Sequence, residues 1–437
     1  MSATRPRFDL HDGARFAALA WALGIGTYLG LVLARDLSDP ERLARRDFYC
    51  FWRAGELALG GGTGYEQVDR TFANPPFARP LVEGLALLSP SGAFFLIDAL
   101  SLVGAVVAAL AVSSLPRVDA RFHVTGVALV ATTPSFVSAL HLGQWTGLYL
   151  ALSGLALHAL AVRRDVLGGV VVAALLVKPP LALALFVVGA ALRPRVFVLA
   201  WTVTALVLVG SSLPLGLAPW YAWRTSLDAL IERHEATVDS WRKQFTVYAF
   251  VRTMLSWVGG PRALARAVAI ALAAAFGAAF LTRLRAARAI AQADDARGLE
   301  LRLRAGSIAI LATVALNLYL FYYDAALLAL PGLLLFTHRP AWRSVGRWRA
   351  AVALAALVWF GQLLPMLWRG GPSPVGPLVL GWAVLELLEL RALVSLRSAS
   401  ISRQPRREAA EFERKRERAR TPGVRRTAST PQRGGRT

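Results

Sequence analysis

Residues 92–115 read GAFFLIDALSLVGAVVAALAVSSL, an apolar run with few charges that is long enough to cross a bilayer as a helix. Similar runs cover residues 16–34 and 350–368. A helix is the structure expected in lipid because it satisfies its own backbone hydrogen bonds. The 437-residue chain is 56% hydrophobic and only 17% charged, which argues against a soluble globule. We therefore predict an all-α membrane protein that crosses the bilayer many times.

The distribution of arginine predicts the orientation of the chain. The net charge is +22, and most arginines lie in short connections between apolar runs or in the C-terminal tail. Cytoplasmic loops of membrane proteins carry such an excess of positive charge, so we place both termini in the cytoplasm. In a soluble protein this charge would suggest nucleic acid, but beside apolar runs it favours contact with anionic headgroups. We expect membrane lipids as partners, and no nucleic acid.

Following the charged loops along the chain gives about twelve spans in a plasma (inner) membrane. A cytoplasmic N-terminus, 1–15, precedes a transmembrane domain, 16–396, and a basic tail, 397–437, that we expect to be disordered. Two long loops, about 35–90 and 215–260, fall on the external side and are predicted to contain helices. A signal peptide is the alternative for the first apolar run. Against it, the run is longer than a usual signal core and no clear Ala-X-Ala site follows.

Two predicted hairpins have arms too short to cross the bilayer alone. They turn at residues 178–180 and 322–324. Non-helical backbone and charge at membrane depth are tolerated only where they face protein or a cavity. The sequence therefore predicts one polar chamber shared by both turns and containing Lys178 and Asp324. Two alternatives stay open: Lys178 reaches the surface along its flexible stem, or Asp324 is a turn residue in interfacial water.

Several classes of soluble enzyme are excluded because their motifs are missing. The chain has no Walker loop, no G-X-G-X-X-G, no H-E-X-X-H and no G-X-S-X-G motif. Its one adjacent acidic pair, Asp294-Asp295, lies among arginines on the predicted cytoplasmic side, and Cys50 is the only cysteine. His141 and His158 fall on apolar spans, where a lone histidine is more often a helix-contact residue than a ligand. We expect neither a metal ion nor another cofactor.

The order of polar motifs along the chain resembles glycosyltransferase family 87, membrane enzymes of the C-type glycosyltransferase superfamily that use polyprenyl-phosphate sugars, typically mannose. The motifs run from residue 47 to residue 324 and cover most of the transmembrane part. They are Asp47-Phe48-Tyr49, Tyr65, Asn74-Pro75-Pro76, Leu142-Gly143-Gln144, Lys178-Pro179, Lys243-Gln244-Phe245-Thr246, Asn317-Leu318-Tyr319 and Tyr323-Asp324-Ala325. The resemblance rests on the ordered set of motifs and not on any single one.

Two of these motifs depart from the family's pattern. The chain has residues 243–246 where the family tends to have Asn-Gln-Ser, and residues 317–319 where it tends to have Ser or Asn followed by Pro-Tyr. These departures bear on the identity of the sugar more than on the type of reaction.

The resemblance implies transfer of a hexose, typically mannose, from a polyprenyl-phosphate carrier to a glycan or glycolipid acceptor on the external or periplasmic face. Such a reaction needs a base for the acceptor hydroxyl and cations for the departing phosphate. Asp47 is the candidate base, in the place where the resemblance implies a catalytic carboxylate. Lys178 is the first candidate for the phosphate, because a buried lysine without an anionic partner would be costly. Arg45 and Arg46 are the second choice.

The remaining candidate residues would contact the sugar or the acceptor. They are Gln144, Asp324, Tyr323, Tyr65, Asn74 and Gln244. Each has a plainer interpretation: a glutamine can cap a span, an aromatic ring can anchor at the membrane interface, and Asn-Pro-Pro can stop a helix.

Two other functional classes compete with the transferase. In a transporter or lipid-linked-sugar flippase, Lys178 and Asp324 would form a substrate or proton site. A scaffold protein would need neither residue. Transporters commonly show related halves, whereas this chain places long polar loops on one predicted face only, which favours the transferase.

Overall fold

The computed structural model describes residues 23–24, 26–27, 30–32, 34–35, 38–66, 72–116, 118, 122–236, 243–337, 342, 344–363 and 373–395. Regular structure in these residues is helical, apart from an isolated antiparallel bridge between Gln244 and Phe321. The predicted all-α class is confirmed for this part of the chain. The predicted N-terminal segment, 1–15, and the predicted basic tail, 397–437, lie outside the described residues.

The described α-helices follow one another with short connections, after helical residues between 23 and 35. They are α1 (Pro40–Ala44), α2 (Phe48–Leu59), α3 (Arg79–Ala86), α4 (Pro90–Ser113), α5 (Phe122–Ala131), α6 (Pro134–Leu142), α7 (Thr146–Ala161), α8 (Asp165–Ala174), α9 (Pro179–Leu192), α10 (Pro194–Gly210), α11 (Ala218–Ala236), α12 (Val247–Trp257), α13 (Arg262–Ala291), α14 (Ala296–Leu316), α15 (Ala329–Thr337), α16 (Val345–Gly361) and α17 (375–395). Short 3-10 helices cover Pro76–Ala78, Leu175–Val177, Leu213–Leu215 and Tyr322–Leu328.

Three helical segments in the described residues are long and apolar enough to cross a membrane: Pro90–Ser113, Pro194–Leu215 and Arg262–Ala291. The pair α5 and α6, bent by 55°, gives a fourth span if it is counted as one. The structure thus has the helices of a membrane protein but does not show the twelve spans expected. At Pro134 and Pro179 the apolar sequence is divided into helices too short to span alone, so hydropathy along the chain does not by itself give the number of crossings.

Helices α4 and α7 pack most extensively, and glycine makes their close approach possible. A Cβ atom at Gly104 of α4 would lie 2.2 Å from the Gly147 carbonyl oxygen of α7. A Cβ atom at Gly147 would likewise meet the backbone of Ser101. Small residues at such an interface allow membrane helices to pack backbone against backbone. This contact fixes the start of α7, and therefore the residues just before it.

Replacing Gly104 with alanine is expected to destabilise the protein, because the new methyl group would collide with backbone that cannot rotate away. Overpacking of this kind costs about 1–3 kcal/mol. Thermal unfolding of the purified variant in detergent measures the effect as a lower midpoint. The matched control is Gly277→Ala in α13, where nothing lies within 4 Å of the added Cβ. That control should unfold at or above the wild-type temperature, since alanine favours a helix over glycine. Equal midpoints for Gly104→Ala and wild type would contradict the packing argument.

Candidate active site

The turn between α6 and α7 brings Gln144 to Asp47. Gly143 ends α6 in the left-handed conformation with φ +66°, which glycine adopts without strain. A Cβ atom there would lie 2.5 Å from the Cβ of Phe48, so only glycine allows this approach to the start of α2. The side-chain amide Nε2 of Gln144 donates to Asp47 Oδ2 at 3.0 Å, and Ser101 Oγ donates to the backbone carbonyl of Gln144 at 3.1 Å.

Asp47 stands at the N-terminus of α2 and is partly exposed. The partial positive charge of a helix N-terminus stabilises a carboxylate placed there. Its neighbour Arg46 contacts the Nε2 of His141 in the last turn of α6, while Arg45 is exposed. Asp47 therefore combines a fixed position with access from outside the protein, the two properties that a base for an external hydroxyl requires.

The two short hairpins meet in an ion pair between Lys178 and Asp324. The Lys178 ammonium donates to Asp324 Oδ1 at 2.5 Å, and the two side chains are 22% and 1% exposed. The premise that Lys178 has no anionic partner is therefore wrong. The two turns do meet through polar side chains, and the interpretation of Asp324 as a turn residue in interfacial water does not hold for a carboxylate that is 1% exposed.

Aromatic rings and the first loop complete the surroundings of Lys178. Its ammonium lies 5.2 Å from the ring centroids of both Tyr149 and Tyr323, a distance at which each ring attracts the cation. Asn74 Nδ2 donates to the Tyr149 hydroxyl at 3.3 Å and to the carbonyl of Val177 at 2.9 Å.

Tyr65 holds this part of the loop in place. Its hydroxyl donates to the carbonyl of Asn74 at 2.7 Å, and burial raises the pKa of that hydroxyl well above its usual range, so it remains a donor. Its ring stacks on Phe72 at 5.4 Å. The polar groups of Tyr65 and Asn74 are thus engaged in contacts that shape the site.

Tyr322 and Tyr323 join the two halves of the site. The hydroxyl of Tyr323 lies within electrostatic range of both Asp324 and Asp47, and that of Tyr322 within range of Asp47 and Arg46. Asp47, Lys178 and Asp324 therefore lie around one pair of tyrosines, although 131 and 146 residues separate the successive members of this set.

A second polar cluster borders this pair of tyrosines. Glu235, near the end of α11, accepts hydrogen bonds through Oε1 from Tyr248 at 2.5 Å, Tyr319 at 2.8 Å and Arg266 at 2.9 Å. Burial raises the pKa of Glu235, but these three hydrogen bonds and the charge of Arg266 outweigh it, so the pKa lies below its usual range and the carboxylate is ionised. The cluster ties α11 to the segment that leads into Asp324.

Predicted residue Gln244 precedes Tyr248 of this cluster by four residues. Its side chain is 1% exposed, and neither its amide oxygen nor its amide nitrogen has a hydrogen-bond partner among the described residues. Its backbone forms the isolated bridge with Phe321, three residues before Asp324. The structure thus brings Gln244 next to the turn that carries Asp324.

Sequence reasoning missed Asp98, His234 and Glu235. Asp98 lies in α4, 4% exposed, and both its carboxyl oxygens lack a hydrogen-bond partner within the described ranges. It is within electrostatic range of Arg46. The sequence did contain a signal for Asp98, because a carboxylate inside an apolar span is a functional candidate by default. No comparable signal marks Glu235, which lies among other charged residues of a polar helix.

These observations define an all-helical membrane protein with a polar site built from its loops and broken helices. Residues 72–299 match the family model of glycosyltransferase family 87, more than half of the 437-residue chain. The chain belongs to this family and is a membrane glycosyltransferase. The matched part contains Gln144 and Lys178, whereas Asp47 and Asp324 lie outside it. Comparison with curated proteins gives no match, and neither does comparison with solved structures.

Proposed function

We propose that the protein transfers a hexose from a polyprenyl-phosphate carrier to a glycan or glycolipid acceptor on the external face of the plasma membrane. Mannose is the first candidate for the hexose. Asp47 is the proposed general base. The observation that carries this proposal is the position of Asp47: partly exposed, held by Gln144, and within electrostatic range of Tyr323, whose ring lies against the Lys178 ammonium.

The proposed reaction is a direct displacement. Asp47 takes the proton of an acceptor hydroxyl, whose oxygen forms a bond to the anomeric carbon of the hexose. The bond from that carbon to the phosphate oxygen breaks, and the phosphate leaves with the electron pair. Gln144 keeps the carboxylate in one orientation by donating to Oδ2, and the carboxylate so held takes the proton. A single displacement inverts the configuration at the anomeric carbon.

The departing phosphate needs positive charge, and Lys178 remains the first candidate to supply it. A lysine ammonium has three N–H donors, of which Asp324 engages one, and the side chain is 22% exposed. Arg45 and Arg46 add positive charge on the Asp47 side of the tyrosine pair. Tyr323, Asp324 and Gln244 remain candidate contacts for sugar or acceptor, while Tyr65 and Asn74 would act by holding the first loop. No metal ion or other cofactor takes part in this proposal.

The donor class can be tested with purified protein in liposomes of total membrane lipid. We expect radiolabel to move from polyprenyl-phosphate mannose to a lipid or glycan acceptor, with no transfer from GDP-mannose and no loss on adding EDTA. The physical reason is that a lipid-phosphate sugar already carries its leaving group within the membrane. Label that crosses the bilayer on its original carrier, with no new glycoside, would instead support a flippase. Transfer from GDP-mannose alone would contradict the proposal.

A further inference from the structure

Five buried polar atoms without partners gather around the segment Phe321–Asp324. Among the described residues, no hydrogen bond reaches Nδ1 of His234, Oε2 of Glu235, either amide atom of Gln244, or Oδ2 of Asp324. A buried polar atom left unpaired costs about 1–3 kcal/mol, and a native domain contains few of them. Their concentration at one segment indicates a place where a ligand supplies the missing partners.

The geometry joins these groups into one cluster. Lys243–Phe245 runs antiparallel to Leu320–Tyr322, with Tyr322 N donating to the Lys243 carbonyl at 3.1 Å and Phe245 N to the Leu320 carbonyl at 3.4 Å. The ring of His234 meets that of Phe321 edge to face at 4.8 Å. Phe321 in turn stacks on Tyr323 at 5.6 Å, with 14° between the ring planes. His234 and Phe321 are only half-buried, so the edge of this group reaches the surface.

The chemistry of the group suits neutral hydroxyls. Burial, and then the charges of Arg233 and Lys243, lower the pKa of His234, so the imidazole is neutral at pH 7 and can donate or accept. Gln244 offers one donor group and one acceptor, and the Glu235 carboxylate accepts only. Each hydroxyl of a sugar both donates and accepts, and sugar rings pack against aromatic side chains.

We infer that His234, Glu235, Gln244 and Phe321 form an acceptor subsite, which binds a polyhydroxylated carbohydrate and presents one of its hydroxyls to the transfer site. The inference rests on the proposed function. The stacked pair Phe321 and Tyr323 leads from this subsite to the tyrosine hydroxyl that lies near Asp47. A carbohydrate bound at Gln244 would therefore lie on the side of Tyr323 from which a hydroxyl can extend toward Asp47.

The test measures hexoside binding without any donor. Saturation-transfer NMR is recorded on methyl α-mannoside with the protein in a detergent that has no sugar headgroup. Wild type should show transfer from protein to sugar, and Gln244→Leu and His234→Phe should lose most of it, because each keeps the side-chain volume and removes the polar atoms. The matched control is Gln292→Leu, an exposed glutamine after α13, which should bind as wild type does. Unchanged binding in both subsite variants, or no binding by wild type, overturns the subsite.

A second measurement uses wild type alone, in case a variant does not fold. Diethyl pyrocarbonate modifies accessible histidines, and mass spectrometry follows each site separately. Methyl α-mannoside should slow the modification of His234 several-fold and leave that of His123 in α5 unchanged; equal rates at His234 with and without the sugar count against the subsite. A protein that passes both tests but moves no label from any lipid-phosphate sugar would contradict the proposed donor and keep the subsite. A protein that transfers label but fails both tests would contradict the subsite only.

Discussion

Asp47→Asn is expected to lower the rate of hexose transfer by at least about 100-fold, the usual contribution of a positioned general base. Asparagine has the same shape, and its carbonyl can still accept the hydrogen bond from Gln144, so the fold should be kept. What is lost is the ability to take a proton from the acceptor hydroxyl. The measurement is initial-rate transfer of radiolabelled mannose from polyprenyl phosphate, with thermal unfolding in parallel to show that the variant is folded.

The matched control for this variant is Asp228→Asn in α11. Asp228 is 57% exposed and pairs with Arg224 one helical turn away, an arrangement that contributes little to stability. This control should transfer mannose at the wild-type rate, which shows that the effect at residue 47 does not come from losing one negative charge anywhere on the protein. Transfer by Asp47→Asn as fast as wild type would contradict the proposed mechanism, although the chain would still belong to its family.

The apolar runs and the order of polar motifs were sufficient to predict the class of fold and the family. Both depend on local properties of the sequence: hydrophobicity over the length of a helix, and short motifs at turns. The twelve spans stay a prediction, since the described residues contain three helices long enough to cross, or four with the bent pair. Hydropathy does not show where a proline breaks an apolar stretch into helices that cannot cross alone, as at Pro134 and Pro179.

The site was predictable only in part, because most of its contacts join residues distant in the chain. The sequence indicated that Lys178 and Asp324 share a chamber, but nothing local showed that they form an ion pair 146 residues apart. The contact of Gln144 with Asp47 depends on the backbone approach that Gly143 allows. Glu235 and His234 were missed because their helix is polar throughout, so neither stands out from neighbours such as Asp228.

Breaking the ion pair of Lys178 and Asp324 should have the largest effect on stability, and the two single variants should differ. Removing one partner of a buried pair costs about 3–5 kcal/mol, because the other charge is left without compensation. Lys178→Met leaves the carboxylate of Asp324, 1% exposed, alone in the interior. Asp324→Asn leaves an ammonium that is 22% exposed and can still reach water or phosphate. Thermal unfolding should therefore show the greater loss for Lys178→Met.

The double variant Lys178→Met with Asp324→Leu separates structure from catalysis. With both charges gone, the unfolding temperature should return close to that of wild type, since an apolar pair replaces a buried ion pair at little cost. If Lys178 binds the donor phosphate, this double variant should transfer mannose at least about tenfold more slowly than wild type, even though it is stable. A tenfold loss of rate corresponds to about 1.4 kcal/mol of transition-state stabilisation. Asp324→Asn should keep more activity than either variant that lacks the lysine. A double variant that is both stable and fully active would show that the pair serves the fold alone, and the phosphate would then have to be bound by Arg45 and Arg46.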